Sequence, residues 1–208
     1  LTFGFNYPKG RIVLGRYMLT EPTGSIITHK VDGISLRYSV PALTFSADLG
    51  YTGLLWKSAS AISPSLMDLY YAGQEEVVLG SPRVVGVFSL RPPVLFKQTL
   101  RIGAIVQEDL RSGEDLMEEG DATKQPGMAG LLDTQYLFAH LGGPLLPILY
   151  YSVFGAYGAG RSLSYIDDAY TYSDISSFLI GGRTQIFLEN LAFSLIQMKF
   201  QYGSGDED

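Results

Sequence analysis

The sequence predicts an all-β fold, a transmembrane antiparallel up-and-down β-barrel of about ten strands, and three observations predict it. Segments of about strand length alternate apolar and polar residues, as in Ile34-Ser35-Leu36-Arg37-Tyr38-Ser39-Val40 and Leu43-Thr44-Phe45-Ser46-Ala47-Asp48-Leu49-Gly50-Tyr51, which is the period-2 pattern of a strand with one dry and one wet face. The connections between these segments are alternately short and long. Finally, charged residues make up only 17% of the 208 residues while hydrophobic residues make up 46%. That is well below the roughly 25% charge of ordinary soluble domains, and too little to cover a water-exposed surface.

Taken in order, strands are expected at about 2–7, 11–18, 33–40, 43–55, 83–90, 95–108, 130–140, 147–159, 175–187 and 191–202. Short turns are expected at Pro8-Lys9-Gly10, Pro41-Ala42, Arg91-Pro92-Pro93, Gly142-Gly143-Pro144 and Glu189-Asn190, each built on residues that break a ladder or favour a turn. Long loops then cover about 19–32, 56–82, 109–129 and 160–174, so that turns lie at one rim and loops at the other. The alternation is clean at 95–108, where Leu100, Ile102, Ala104 and Val106 oppose Arg101, Gly103, Ile105 and Gln107. It is equally clean at 191–202, where Ile196, Met198, Phe200 and Tyr202 oppose Gln197, Lys199 and Gln201. The segment 175–187 is noisier. In 83–90, Val84, Val85, Val87 and Phe88 occupy both faces, which predicts an irregular strand or one covered from inside.

Two other folds compete. Residues 134–160 carry no Asp, Glu, Lys or Arg and are long enough for a membrane helix. Pro144 and Pro147 beside Gly142-Gly143 argue for a hairpin instead, because proline inside a helix costs about 3 kcal/mol. A soluble β-sandwich also alternates, but its polar face must carry charge. Here that face is mostly Ser, Thr, Gly and Gln. Glycines inside strands, such as Gly15, Gly103, Gly155, Gly158, Gly181 and Gly182, suit the bends that curl a sheet. Aromatic residues near strand ends (Tyr17, Tyr38, Tyr51, Trp56, Phe96, Tyr136, Phe138, Tyr150, Tyr151, Tyr165 and Tyr202) suit interfacial girdles.

Composition excludes several activities. With no cysteine there is neither a thiolate metal site nor a disulfide framework, and a net charge of −6 with no basic stripe speaks against nucleic acid. The Gly158-Ala159-Gly160 fragment follows a strand with no helix after it, so a dinucleotide loop fails. No zinc-protease, nucleophile-elbow or phosphate-loop motif surrounds His29 or His140. No cofactor and no catalytic residue is expected. The acidic runs Glu75-Glu76, Glu114-Asp115-Leu116-Met117-Glu118-Glu119-Gly120-Asp121 and Asp167-Asp168 read as solvated loops, with divalent-cation bridging as the other option. One domain spans 1–208. The start at Leu1 without an export signal and the acidic tail Asp206-Glu207-Asp208 suggest a piece of a larger barrel.

The layout from Gly15-Arg16-Tyr17 through Glu21-Pro22-Thr23-Gly24 to Val31-Asp32-Gly33 resembles the strand, loop and strand of bacterial outer-membrane β-barrels of the porin-like class, and the rhythm of nearly the whole chain does so too. The resemblance implies an outer-membrane location, lipid and small polar solutes as partners, and a homo-oligomer as one arrangement. With the lumen face assigned by alternation, the pore-lining charges are Arg16, Arg37, Asp48, Arg101, Asp133, Arg183 and Lys199. This excess of cations favours anionic or polyhydroxylated solutes; the other reading of the same residues is that Arg and Asp pair across the barrel and only stabilise a polar interior. A structural or adhesion barrel with a closed lumen is the alternative, and bulky Ile105, Leu179 and Phe187 would support it. A surface protease of the omptin type, which resembles this strand count, would need acidic residues beside His29 or His140. Asp32 is near His29, but there is no acidic pair in sequence.

Overall fold

The computed structural model describes residues 1–60, 62, 65–74, 76, 78–113, 129–167, 169–188 and 194–204. Ten strands follow one another as β1 (Thr2–Tyr7), β2 (Gly10–Thr20), β3 (Thr28–Val40), β4 (Leu43–Tyr51), β5 (Arg83–Arg91), β6 (Thr99–Asp109), β7 (Ala129–Leu146), β8 (Leu149–Ile166), β9 (Ala169–Leu188) and β10 (Ser194–Gly203), with a short helix α1 (Leu66–Ala72) between β4 and β5. They form a single ten-stranded sheet in sequence order. Every neighbouring pair is antiparallel. No helix among the described residues is long and apolar enough to cross a membrane, and residues 134–160 form most of the β7–β8 hairpin. The sheet is open: among the described residues β1 pairs only with β2, and β10 only with β9.

Register sorts the side chains into two chemically distinct faces. On one, Phe5, Ile12, Leu36, Ala47, Phe88, Ala104, Leu137, Tyr157 and Phe178 follow one another across nine strands in an unbroken apolar row. Phe5, Phe88, Leu137, Tyr157 and Phe178 of that row are exposed, Leu137 at 67%. The flanking row Tyr38, Phe45, Leu90, Ile102, Ala139, Gly155, Ile180 and Tyr202 is also apolar. On the other face the rows mix Ser, Thr, Gly, Arg and Gln with a central apolar cluster.

That cluster shows which way the sheet curls. Leu19, Val31, Val85, Val87, Ile105, Phe138 and Ala156, from β2, β3 and β5–β8, pack together with Ile27 and Ile62 from the loops. Residues 22–25, between β2 and β3, share a cavity with Arg183, Lys199 and Gln201 of β9 and β10. In a flat sheet, with strands about 4.8 Å apart, these elements would be about 30 Å apart. The sheet therefore curves around this inner face, in a barrel-like arrangement. Gly15, Gly33 and Gly50 form an inner row without side chains. A Cβ on Gly33 would lie 1.9 Å from the Leu49 carbonyl oxygen, and Gly15 has φ of +112°, so this row tolerates the close approach that a bend requires.

All ten expected strands are present, but several boundaries differ. The turn expected at Gly142-Gly143-Pro144 lies inside β7, and the chain reverses at Pro147-Ile148. Pro144 is tolerated because the β6 ladder ends at Gly142 and a register irregularity separates Pro144 from Leu146, so its missing N–H removes no ladder bond on that side. The expected loop 160–174 is instead the long β8–β9 hairpin. Its paired rows continue to Ile166↔Ala169, with Arg161 over the Tyr172 ring at 5.1 Å and Tyr165 edge-on to Tyr170. A hairpin beyond the apolar band has no greasy face to reveal it by alternation. The loop expected at 19–32 shrinks to residues 21–27, and β6 begins at Thr99, after a tight reversal in which Phe96 and Lys97 adopt positive φ. Of the girdle aromatics, Tyr17, Tyr136, Phe138 and Tyr150 share the inner face by register, whereas Tyr38, Tyr51, Tyr151 and Tyr202 lie on the outer one.

The doubly apolar strand 83–90 has a simple explanation. Val84 and Phe88 belong to the outer face, and Val85 and Val87 are buried inside against Ile105 and Ile62. Both faces of β5 are therefore apolar because a loop covers the inner one.

Candidate functional site

Five of the seven charged residues expected to line a lumen lie on the inner face. Arg37 and Asp48 share it with Ser35 and Val87, Arg101 with Ile105, and Arg183 with Lys199. Arg16 and Asp133 do not. Arg16 stands beside Leu14 and Met18 on the outer face and forms a two-pronged pair with Asp32, at 2.9 and 2.7 Å. Asp133 is opposite Arg161, with Nε to Oδ2 at 3.4 Å. Both pairs sit toward the long-loop ends of their strands, just beyond the apolar rows, where alternation no longer separates dry from wet.

Besides Arg83 at the long-loop end of β5, sequence reasoning missed two inner cations. Arg11 lies directly opposite Arg37, and Arg91 lies opposite Thr44. Arg11 alternates with Val13 and Gly15, so parity within β2 could have placed it. Arg91 precedes Pro92-Pro93, and its neighbours give it the local signature of a turn. Arg11, Arg37, Arg91, Arg101, Arg183 and Lys199 thus line the short-turn half of the inner face. None forms an ion pair with a carboxylate among the described residues. Like charges directly opposite each other, such as Arg11↔Arg37 and Arg183↔Lys199, destabilise a sheet. This row contributes little to the fold, and it leaves the inner wall strongly positive.

Two loops fold inward over the same face. In the first, Gly24 adopts φ of +66°, and the loop wraps around Glu21, which is 1% exposed. Its carboxylate accepts hydrogen bonds from the N–H groups of Thr23, Ser25 and Ile26 and from the Thr23 hydroxyl. Several N–H donors to one carboxylate are a strong local tether. The second loop runs from β4 to β5 and carries α1. Ser65 and Asp68 cap that helix reciprocally: the Asp68 N–H donates to the Ser65 hydroxyl at 3.2 Å, and the Ser65 N–H donates to the Asp68 carboxylate at 2.7 Å. The Ser65-Leu66-Met67-Asp68 spacing is the sequence signature that could have found this helix. Met67 then packs on Leu131 and Leu163 of β7 and β8.

A buried ion cluster locks this second loop to the sheet. Arg83 bonds Asp68 and also Asp109, the latter at 3.0 Å, and donates to the Ile62 carbonyl at 2.8 Å. Arg111 bonds Asp109 at 2.5 Å and Asp68 at 3.0 Å. The side chains of Arg83 and Asp109 are 3% and 0% exposed. Burial by itself would raise the Asp68 pKa, but Arg83, the Ser81 hydroxyl, the Ser65 N–H and Arg111 together hold it below its ordinary 3.8. Burial likewise opposes the charge on Arg111, and the hydrogen bond and charge of Asp109, then Asp68, more than restore it.

A carboxylate with a depressed folded-state pKa contributes stability above its unfolded pKa and loses it as pH falls through the folded value. The latch is therefore expected to hold unchanged from neutral pH down to about 4 and to weaken below it. Limited proteolysis of residues 57–82 across a pH series, with an acid-active protease, checks this. Cleavage that rises between pH 7 and 5 would contradict it.

Chemically, the described residues of the inner face offer charge and hydrogen bonds. His29 and His140 are on different strands, and among the described residues no acidic pair flanks either. Among the described residues no group of three or more His, Asp or Glu could hold a metal ion. Glu75, the acidic run 114–121, Asp168 and the terminal 206–208 lie outside the described residues. Searches against protein-family models and against curated proteins find no match to this chain.

Proposed function

We propose that the chain is an outer-membrane β-barrel of the porin-like class, through which small polar or anionic solutes diffuse passively. The observation that carries this reading is the pairing of two opposite faces at one level of the sheet. An unbroken apolar row crosses nine strands on the outer face, and Arg and Lys side chains without an ion-pair partner among the described residues line the inner one. An outer face of this kind matches hydrocarbon, and each of the strands β2–β9 is hydrogen-bonded to a neighbour on both sides, which suits a bilayer. A positive wall concentrates anions next to it.

A second reading, a closed structural or adhesion barrel, is favoured by one observation. The cluster of Ile62, Val85, Ile105 and Phe138 fills part of the inner face, and Leu179 packs against it, as its bulk suggested. Phe187 lies nearer the short-turn rim, edge-on to Tyr150.

Planar-bilayer recording of the full-length protein separates the two. The channel reading predicts steady conductance with anions preferred over cations, and Arg37→Gln with Arg101→Gln should lower that preference at least severalfold. A barrel that shifts on unheated detergent gels but carries no current is the closed version. A soluble protein without a gel shift would remove the membrane reading altogether.

A further inference from the structure

We propose that the cavity between the β2–β3 loop and the inner face of β7–β10 is a binding station for a small oxyanion of the phosphate or sulfate class. As a step in transport it rests on the channel reading above, but as a binding site it does not. The cavity has a volume of about 440 Å³ and is lined by Ser25 of the loop and by His140, Ser152, Arg183, Lys199 and Gln201 of the sheet.

Arg183 and Lys199 occupy directly opposite positions on β9 and β10, with Ser152 next in the same row. His140 and Gln201 belong to the neighbouring row, through Phe154 and Gly181. Two cations held face to face repel each other. Neither has a carboxylate partner among the described residues, and a bound anion would turn that repulsion into attraction. The Nδ1 atom of His140 is buried without a hydrogen-bond partner, a costly state that a ligand or ordered water in the cavity would relieve.

Glu21, at the base of the loop, is a negative side chain whose charge acts on His140. Its oxygens are already taken by the N–H groups of Thr23, Ser25 and Ile26 and the Thr23 hydroxyl. It shapes the loop and, among the described residues, forms no ion pair with either cation. The donors are directional and of several kinds: a guanidinium fork, an ammonium, an amide and two hydroxyls. Such a set matches the multiple acceptor oxygens of an oxyanion better than a spherical halide. The cavity is larger than the anion itself, so the oxyanion can be free or carried on a small organic body lying along Phe154, which also lines the wall.

The test titrates inorganic phosphate into the full-length protein refolded in detergent, by calorimetry, and measures chloride current in bilayers in parallel. Saturable binding is expected in the native protein, weakened at least tenfold in the Arg183→Gln, Lys199→Gln double variant. That variant should retain its heat-dependent gel shift, since it loses only repulsion. Absence of phosphate binding, or binding unchanged in the double variant, overturns the site even if chloride current is present. Phosphate binding in a protein that carries no current leaves the site standing and overturns only its role in a channel.

Discussion

Arg83→Ala is expected to cost about 3–5 kcal/mol of stability, because it leaves two buried carboxylates to share the single cation Arg111. The guanidinium reaches Asp109, Asp68 and the Ile62 carbonyl at once. Asp109 is fully buried, so no water can replace the lost donor, and Arg111 on its other side already serves both carboxylates. Arg83→Lys should recover only part of the loss, since an ammonium cannot span three acceptors as a planar fork does. Replacing Arg83, Arg111, Asp68 and Asp109 together with apolar residues of similar volume should be far milder than the single truncation, because no uncompensated charge of the cluster then remains. Denaturant midpoints measure the cost. Proteolysis of residues 57–82 reports whether the loop carrying α1 has detached. Equal stability of the Arg83→Ala protein and the native one would show that the cluster is solvated and holds nothing.

Leu137→Arg discriminates between environments rather than between contacts. Leu137 sits midway along β7 in the unbroken apolar row and is 67% exposed. Were that face in water, the change should alter stability by no more than about 0.5 kcal/mol. If it faces hydrocarbon near the bilayer midplane, the cost is about 2–4 kcal/mol. Thr171→Arg, in the β8–β9 hairpin beyond the apolar rows, should be close to neutral in either case. Reversible unfolding from lipid vesicles gives the comparison, and a neutral Leu137→Arg would argue against the membrane on that face.

Ten strands, antiparallel and in sequence order, were legible in the chain because alternation is a local property. Each of Leu100, Ile102 and Ala104 needs only its neighbours to show that it faces away from Arg101 and Gly103. The same logic failed at the rims. Residues 160–174 continue as β8 and β9 where no apolar face is required, so their Ser, Tyr and Asp content looks like a loop. Pro144 looked like a turn because its tolerance depends on where the β6 ladder stops, which is a property of a neighbouring strand. Arg16 and Asp133 were placed on the wrong face for a related reason. Each is neutralised by a cross-strand partner, Asp32 and Arg161, that becomes visible only once the register is known.

The site divides in the same way. By itself the sequence determined the strand count, the direction of alternation and the inner placement of Arg37, Asp48, Arg101, Arg183 and Lys199, all of which follow from a two-residue period along one strand. Only the tertiary structure decided that Arg183 stands opposite Lys199, that Glu21 folds a loop toward them, and that Asp68 joins Arg83, Asp109 and Arg111 across a separation of more than forty residues. Register and loop closure bring together groups that are remote in sequence. The free energy that selects those meetings comes from burying charge and apolar surface together, which no single segment can do alone.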